Sequence, residues 1–325
     1  MKHIFRKSLG VFLASLMLLS VLLVSCQKSS AENTSTQKSS AEDTSTKAKP
    51  VVTVTTSFLQ DMVKVLAGDL VDINLIIPAG EDPHLYNALP EDKTKLSEAD
   101  LVLYHGLHFE GKMVEILEKV GTNLSENFPE DKIGKMEEDG QQVIDPHFWF
   151  DIDLYKLATT NAAEALCKLM PDEANAIQTR LENYLKDLDK LDELIRKELE
   201  KIPQESRVLV TPHDAFNYFS RRYNIEVHAP QGVSTDSEVA TGDITETVDL
   251  IVNRKVKAIF AESTTDPKRM EVIKQNCANK GFDVKVVSGE GNELFSDSLA
   301  PEGQMGDNYI DMYKHNVQLI VTNLE

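Results

Sequence analysis

The chain has 325 residues, of which 41% are hydrophobic and 27% are charged, a composition typical of a soluble globular protein with room for two domains. Its formal charge of −19 argues against nucleic acid as a partner, since phosphates would be repelled. The three cysteines form no Cys-x-x-Cys pair, which argues against a zinc ribbon or a dithiol redox motif. Cys167 and Cys277 are expected to be buried thiols, not a disulfide.

Residues 1–26 have the pattern of an export signal. A basic start is followed by an apolar stretch over residues 9–24, which ends in Leu23-Val24-Ser25-Cys26. This ending resembles the lipobox of bacterial lipoproteins, in which the cysteine is lipidated and becomes the new N-terminus. A transmembrane helix is the alternative, but the run is short for one. We therefore expect lipid attachment at Cys26 and a protein anchored to the outer face of the cell membrane, facing the periplasm or the cell surface.

Residues 27–49 are predicted to be a disordered tether. The ten residues 27–36 are repeated almost verbatim as residues 37–46, with Asp43 in place of Asn33. Such a polar tract has nothing to bury and does not pay for ordering its backbone. A flexible chain of this length spans about 25 Å, so the segment would act as a flexible linker between the membrane and the folded body.

The first lobe is predicted over residues 50–170. Its strands are expected at 51–55, 71–77 and 101–104, and its helices at 58–67 and 113–120, with Ser57 as a candidate helix cap and Gly68 as the stop. Strands that alternate with helices in this way are typical of parallel βαβ units.

A single long helix is predicted over residues 171–203. Apolar residues recur three or four apart from Ile177 to Ile202, and prolines stand at both ends of the segment. A coiled-coil arm is the other reading of this pattern, although one helix without a long heptad continuation favours packing within the molecule. Alternating strands and helices then resume over residues 204–325 and predict a second α/β lobe.

Three of the eight histidines directly follow a proline: His84, His147 and His213. Random placement would give about 0.3 such pairs. Each pair comes just after a β-like run, so each imidazole is held on a stiffened turn at a strand end. Three such imidazoles from distant parts of the chain predict one metal site between the lobes. The second lobe should supply the fourth ligand, for which position alone leaves Asp297 and Glu262 open.

The chain resembles the zinc- and manganese-specific solute-binding lipoproteins of ABC importers. The likeness extends over about residues 50–325 and is carried by several motifs. These are Asp82-Pro83-His84-Leu85-Tyr86, Asp145-Pro146-His147-Phe148-Trp149, His213-Asp214-Ala215-Phe216-Asn217 and Asp297-Ser298-Leu299. The resemblance implies metal ligands at His84, His147, His213 and Asp297, and so selects Asp297 over Glu262. It also implies an α/β fold of two lobes, each a mostly parallel four-stranded sheet with helices, bridged by one long rigid helix.

Two departures from the family pattern bear on the metal. The histidine-rich loop of some zinc members is absent, because residues 111–144 contain no histidine. Many manganese members have glutamate at the third ligand position, where this chain has His213. Three nitrogens and one carboxylate favour Zn²⁺, with Mn²⁺ as the second possibility. Because imidazoles bind metal only when neutral, the affinity is expected to fall below about pH 6.

The other polar residues near these motifs receive ordinary interpretations. His105 and His108 are expected to be surface or hydrogen-bonded histidines, and Trp149 a core residue. Asp82 and Asp145 are candidates either for turn formation or for hydrogen bonds to the histidine rings.

The resulting hypothesis is capture of a metal ion and not catalysis. A cage of four ligands leaves little room for a reacting water, so no enzymatic activity is expected. The resemblance implies that a monomeric, loaded protein docks on a membrane permease. Because the chain has no phosphate-binding loop, the ATPase must be another chain.

One alternative is a secreted zinc hydrolase that uses the same histidines, with Glu81 or Glu262 as base. Another is a surface adhesion lipoprotein with a structural metal.

Overall fold

The structure, a computed structural model, describes residues 48–138 and 140–325. The predicted export signal, Cys26 and the tether up to residue 47 lie outside the described residues. Ala48–Glu325 form one compact unit. Within the described part of the chain, no helix is both long enough and apolar enough to cross a membrane.

The first half of this unit is built on a parallel sheet of four strands in the order β2-β1-β3-β4. The central strand β1 is nearly all buried and pairs on both sides, Val52 being opposite Ile73 and Leu101. The strands are β1 Val51–Val54, β2 Asp72–Leu75, β3 Leu101–Tyr104 and β4 Thr122–Asn123. The helices are α1 Ser57–Ala67, α2 Pro90–Ser97, α3 Val114–Val120 and α4 Ile152–Leu169. We call this half the first lobe.

A hairpin that the sequence pattern did not predict in full precedes α4. Strands β5 Lys135–Glu138 and β6 Gln141–Ile144 pair antiparallel. Apart from Met136, only the end of β6 is apolar, so the hairpin lacks the alternation that marks a half-buried strand. It delivers the chain to Pro146-His147.

The long helix is α5, Ala174–Leu199, with 26 residues, and its length of about 39 Å spans the body. Its buried stripe runs from Ile177 to Leu199 and packs against α4 and α1 and against the last helix of the chain, α9 Tyr309–Leu324. The helix therefore packs within the molecule, as the sequence favoured, and does not form a projecting arm.

The second half contains two parallel strand pairs. They are β7 Val208–Val210 with β8 Glu226–His228, and β9 Ala258–Phe260 with β10 Lys285–Val287. Strand β7 lies beside β9, so the expected sheet exists as two adjacent pairs of very short strands. Its helices are α6 Asn217–Tyr223, α7 Thr241–Arg254 and α8 Lys268–Asn279. We call this half, up to β10, the second lobe. The α/β fold with parallel sheets and a long helix is as predicted, whereas the exact domain boundaries stay predictions.

One local expectation was wrong. Ser57 does not cap α1: Thr56 occupies the cap position and makes no side-chain cap hydrogen bond. The Ser57 hydroxyl instead lies 3.1 Å from the Ser298 hydroxyl and accepts a hydrogen bond from the Leu299 N–H at 2.9 Å. The Ser57 hydroxyl therefore binds residues far along the chain instead of the first turn of α1.

Candidate metal centre

His84 stands on a tight turn after β2. The Asp82 carboxylate accepts the backbone N–H of His84 at 2.9 Å, which is the turn chemistry expected of an Asp two residues earlier. The His84 ring is backed by Phe109, with 5.1 Å between the ring centroids. A cavity of about 610 Å³ opens beside His84 and has the exposed His108 in its wall. His84 is thus the ligand candidate nearest to solvent, although only 5% of it is exposed.

The loop that carries Phe109 is held by a buried carboxylate. Residues 106–108 all have positive φ, at 83°, 53° and 65°, a conformation that costs energy for the two that are not glycine. Glu110 accepts hydrogen bonds from the Thr55 hydroxyl at 2.8 Å and from the His105 N–H at 2.6 Å. Burial raises the pKa of Glu110 to about 7. Glu110 therefore ties this strained loop to the sheet.

His147 follows β6 and is fixed by Asp145 from two directions. Asp145 Oδ1 accepts the His147 backbone N–H at 3.0 Å and lies 2.7 Å from the ring Nδ1. Its other oxygen accepts from the Asn217 amide at 3.1 Å. Asp145 therefore does both things proposed for it, the turn and the ring contact, and leaves His147 Nε2 directed at the centre.

His213 follows β7 and is held by Glu262. The His213 Nδ1 contacts the Glu262 carboxylate, and the Thr211 hydroxyl donates to the His213 carbonyl at 2.9 Å. Glu262, the alternative ligand candidate, thus lies behind His213. Its position just past β9 was visible in the sequence, but its orientation was not.

Asp297 completes the group. Its Oδ2 lies 3.2 Å from His213 Nε2 and 4.0 Å from His84 Nε2, and its Oδ1 lies 3.4 Å from His147 Nε2. The four ligand atoms all lie within 4.8 Å of one another. A tetrahedral ion with bonds of 2.0–2.1 Å separates its ligand atoms by about 3.3 Å, so only small adjustments would close this group around zinc.

These facing atoms are buried without hydrogen bonds. The Nε2 atoms of the three histidines and both carboxylate oxygens of Asp297 have no hydrogen-bond partner. Buried polar atoms are nearly always satisfied in native proteins, so five such atoms that converge on one point indicate a cation site.

The charges within the group are strongly coupled. Burial would raise the pKa of Asp297, but attraction by His213 and the approach of His147 hold it well below its usual range. Burial would lower the pKa of His147, but the Asp145 charge raises it to about 9. Burial lowers the pKa of His84 to about 3. The pKa of His213 is also raised, mainly by Asp297 and Glu262 against the effect of burial, so protons compete with an entering cation for both rings.

Comparison with known proteins identifies the family. Residues 52–323 match the family described as the periplasmic component A of a zinc-uptake complex. This chain belongs to that family. Its relatives include the manganese-binding lipoprotein MntA of Bacillus subtilis, 38% identical over 84% of this chain and 89% of the relative. The zinc-binding protein TroA of Treponema pallidum is 40% identical over 85% of this chain and 89% of the relative.

Solved structures of this zinc-uptake family have the same fold. A TroA structure studied for its metal-binding specificity is 60% identical, with a TM-score of 0.85 over 86% of this chain and all of that one. The periplasmic zinc-binding TroA of Treponema pallidum gives a TM-score of 0.81 at 39% identity, over 85% of this chain and 99% of that one. The predicted family resemblance and the predicted fold class are confirmed.

The remaining candidates lie apart from the four ligand atoms. His105 is buried with its Nε2 2.7 Å from the Thr56 hydroxyl. Cys167 and Cys277 are free thiols, as expected, but Cys167 is partly exposed and not buried as predicted. Trp149 is a core residue, as predicted, yet its ring also lies 5.2 Å from that of His147. The sequence reasoning missed the roles of Glu262, Glu110 and Phe109, which depend on side-chain directions that no local pattern carries.

Proposed function

We propose that this protein binds a divalent transition-metal ion outside the cytoplasmic membrane and delivers it to the permease of an ABC importer. The ligands are His84, His147, His213 and Asp297. The observation that carries the proposal is the convergence of three imidazole nitrogens and one carboxylate, all buried and without hydrogen bonds, within 4.8 Å of one another.

The geometry favours capture over catalysis. Four ligand atoms complete the tetrahedral set of a closed zinc site, whereas a catalytic site keeps one position for water or substrate. A hydrolase would also need a base, but Glu262 is engaged with His213 and Glu81 is exposed away from the ligand set. The ion is thus cargo, and we propose no enzymatic role. No comparison supports the hydrolase or the adhesion alternative.

The donor set favours zinc as the cargo. Three imidazoles and one carboxylate suit a borderline-soft ion, whereas manganese prefers more oxygen ligands. Relatives are named for each metal, MntA for manganese and TroA for zinc. We therefore propose Zn²⁺ as the preferred ion and Mn²⁺ as a weaker competitor.

The location and partners follow from the N-terminal sequence and the family. Several relatives of similar length are named lipoproteins of ABC transporters. We propose that Cys26 carries the lipid, that residues 27–49 form the tether, and that the protein acts as a monomer. Its partners are the membrane, the permease and the ATPase of the importer.

Elemental analysis of the protein purified from its native host tests the proposal. We expect close to one equivalent of zinc. Competition between Zn²⁺ and Mn²⁺ in buffered metal solutions should then favour zinc. Replacing His147 or His213 by alanine should weaken zinc binding strongly, while His108→Ala, which removes an exposed histidine nearby, serves as the control. Full zinc affinity in both ligand variants would refute the proposal.

A further inference from the structure

The turn that carries Asp297 is attached to the first lobe, although the chain reaches it from the second. We call residues 296–299 the Asp297 turn. The Trp149 indole N–H donates to the Ser296 carbonyl at 2.8 Å. The Gly80 N–H donates to the Ser298 hydroxyl at 2.7 Å, and the Leu299 N–H donates to the Ser57 hydroxyl at 2.9 Å. Trp149, Gly80 and Ser57 all belong to the first lobe.

The crossing from one lobe to the other takes place just before this turn. Leu294 is the last residue bonded to the end of β9: its N–H donates to the Ala261 carbonyl at 2.9 Å, and its carbonyl accepts from the Ser263 N–H at 2.9 Å. Beyond that point, the Asp297 turn meets the second lobe at Asp297 itself, whose Oδ2 lies 3.2 Å from His213 Nε2, and at a separation of 3.4 Å between the Ser296 and Thr264 hydroxyls. That distance is at the limit of a hydrogen bond between hydroxyls.

The first part of α9, which follows the turn, is bound to the first lobe, whereas the end of α9 is bonded to Lys257 and Lys285 of the second lobe. The Tyr309 N–H donates to the half-buried Asp61 carboxylate of α1 at 2.9 Å. The Tyr309 hydroxyl donates to the Trp149 carbonyl at 2.6 Å, and the Tyr313 hydroxyl donates to the Phe150 carbonyl at 2.8 Å. The Asp297 turn is therefore bracketed by first-lobe contacts on its own residues and on α9.

His213 is held on the other side. The His213 carbonyl accepts from Thr211, and its Nδ1 contacts Glu262. Its backbone forms an isolated β-bridge with Gln231. All three partners belong to the second lobe. By the hydrogen bonds of their own atoms and turns, the four ligand residues thus divide three to one, and not two to two as their order along the chain suggests. Further contacts between the lobes are made by the carboxylates behind the first-lobe histidines, since Asp145 accepts from Asn217 and Asp82 from Thr235.

We infer that Asp297 moves as part of the first lobe with His84 and His147, and that the bond between the ion and His213 is the one that breaks when the lobes separate. Ser57, Ser298 and Trp149 are positioning residues that hold Asp297 on the first lobe. This inference rests on the proposed metal-binding function. Release would then begin with the loss of one ligand, His213. The ion would stay on the two imidazoles and the carboxylate of the first lobe until the final step.

A double-mutant cycle on zinc dissociation tests this assignment. The full-length protein is loaded with zinc and mixed with excess chelator in a stopped-flow instrument. Ser57→Ala should speed dissociation by about 2- to 13-fold, the effect of losing one hydrogen bond. Ser263→Ala, which removes a buried second-lobe hydroxyl without a partner, is the matched control and should change little.

Measuring Ser57→Ala in two variant backgrounds shows whether Ser57 acts through Asp297 or only stabilises the molecule. If Ser57 acts through Asp297, its effect should persist in His213→Ala and vanish in Asp297→Ala. An equal effect in both backgrounds would mean that Ser57 only stabilises the closed molecule, and would overturn the inference. Failure of the wild-type protein to bind zinc would instead refute the proposed function.

Amide hydrogen exchange gives a second test that needs no substitution. The Leu299 amide, which donates to Ser57, should stay protected when zinc is removed, while the amides in residues 211–215, other than Pro212, should exchange faster. Loss of protection at Leu299 to the same extent as at residues 211–215 would contradict the three-to-one division.

Discussion

Replacing Asp145 by asparagine should weaken metal binding by an amount that grows with pH. The substitution removes the negative charge beside His147 Nδ1 but keeps an oxygen that can accept its hydrogen bonds. Two opposing effects follow. The imidazole becomes a weaker base and hence a weaker ligand. The proton that competes with the metal for His147 also becomes easier to remove, because the Asp145 charge is the largest of the causes that raise its pKa.

The structure sets the size of each effect. Loss of a carboxylate that orients a metal-binding histidine typically costs about 10- to 100-fold in affinity. In the wild-type protein the pKa of His147 is about 9, so removing its proton at pH 7 costs about 2.7 kcal/mol, or roughly 100-fold. Relief of that cost offsets much of the loss at pH 7. At pH 9 removal of the His147 proton costs little even in the wild-type protein. The variant should therefore show the full loss of zinc affinity, about 10- to 100-fold.

Competition with a calibrated chelator at pH 7, 8 and 9 measures this change. The ratio of wild-type to variant zinc affinity should start near unity and rise with pH, and the variant should release fewer protons on binding. Asp131→Asn, an exposed aspartate of the first lobe, is the control. A ratio that is constant across this range would refute the role assigned to the Asp145 charge.

Three other substitutions or treatments probe the surroundings of the site. Gly111→Ala should weaken zinc binding in a titration, because the added carbon would lie 2.5 Å from the His84 carbonyl oxygen, whereas Gly140→Ala, with nothing within 4 Å, should not. Glu110→Ala should lower the free energy of unfolding by about 1–3 kcal/mol in a urea titration, because it leaves two buried donors without an acceptor. The buried Cys277 thiol should react with a thiol reagent only after unfolding; rapid reaction of the native protein would contradict its placement.

The sequence predicted those features of the site that are set locally. Proline before each histidine fixes the turn, and the apolar run before each pair predicts a strand end, so the three imidazoles could be assigned to one cleft. The choice of Asp297 came from family resemblance. Position alone could not separate it from Glu262, since both follow strands of the second lobe and only the packed structure shows that Glu262 contacts the far side of His213.

The features that the sequence did not predict depend on distant partners. Ser57 has the position of a helix cap, yet it is bound to residues 241 and 242 positions away. The expected loss of affinity below about pH 6 assumed an ordinary imidazole. Asp145, with a smaller contribution from Asp297, raises the pKa of His147 to about 9, so the affinity should already be falling below that pH.

The two carboxylate–histidine pairs give the ligands unequal parts in binding. Asp145 holds His147 on the first lobe and Glu262 holds His213 on the second, so each lobe presents one charged imidazole to Asp297. Asp297 is thus attracted by two cationic rings, without a hydrogen bond to either, before any metal arrives, and the metal replaces their two protons with its own two charges. Because charge is conserved in this exchange, the empty and the loaded site carry the same net charge. Release then requires protons to return to His147 and His213, and His213 is the one whose lobe can carry it away from the other three ligands.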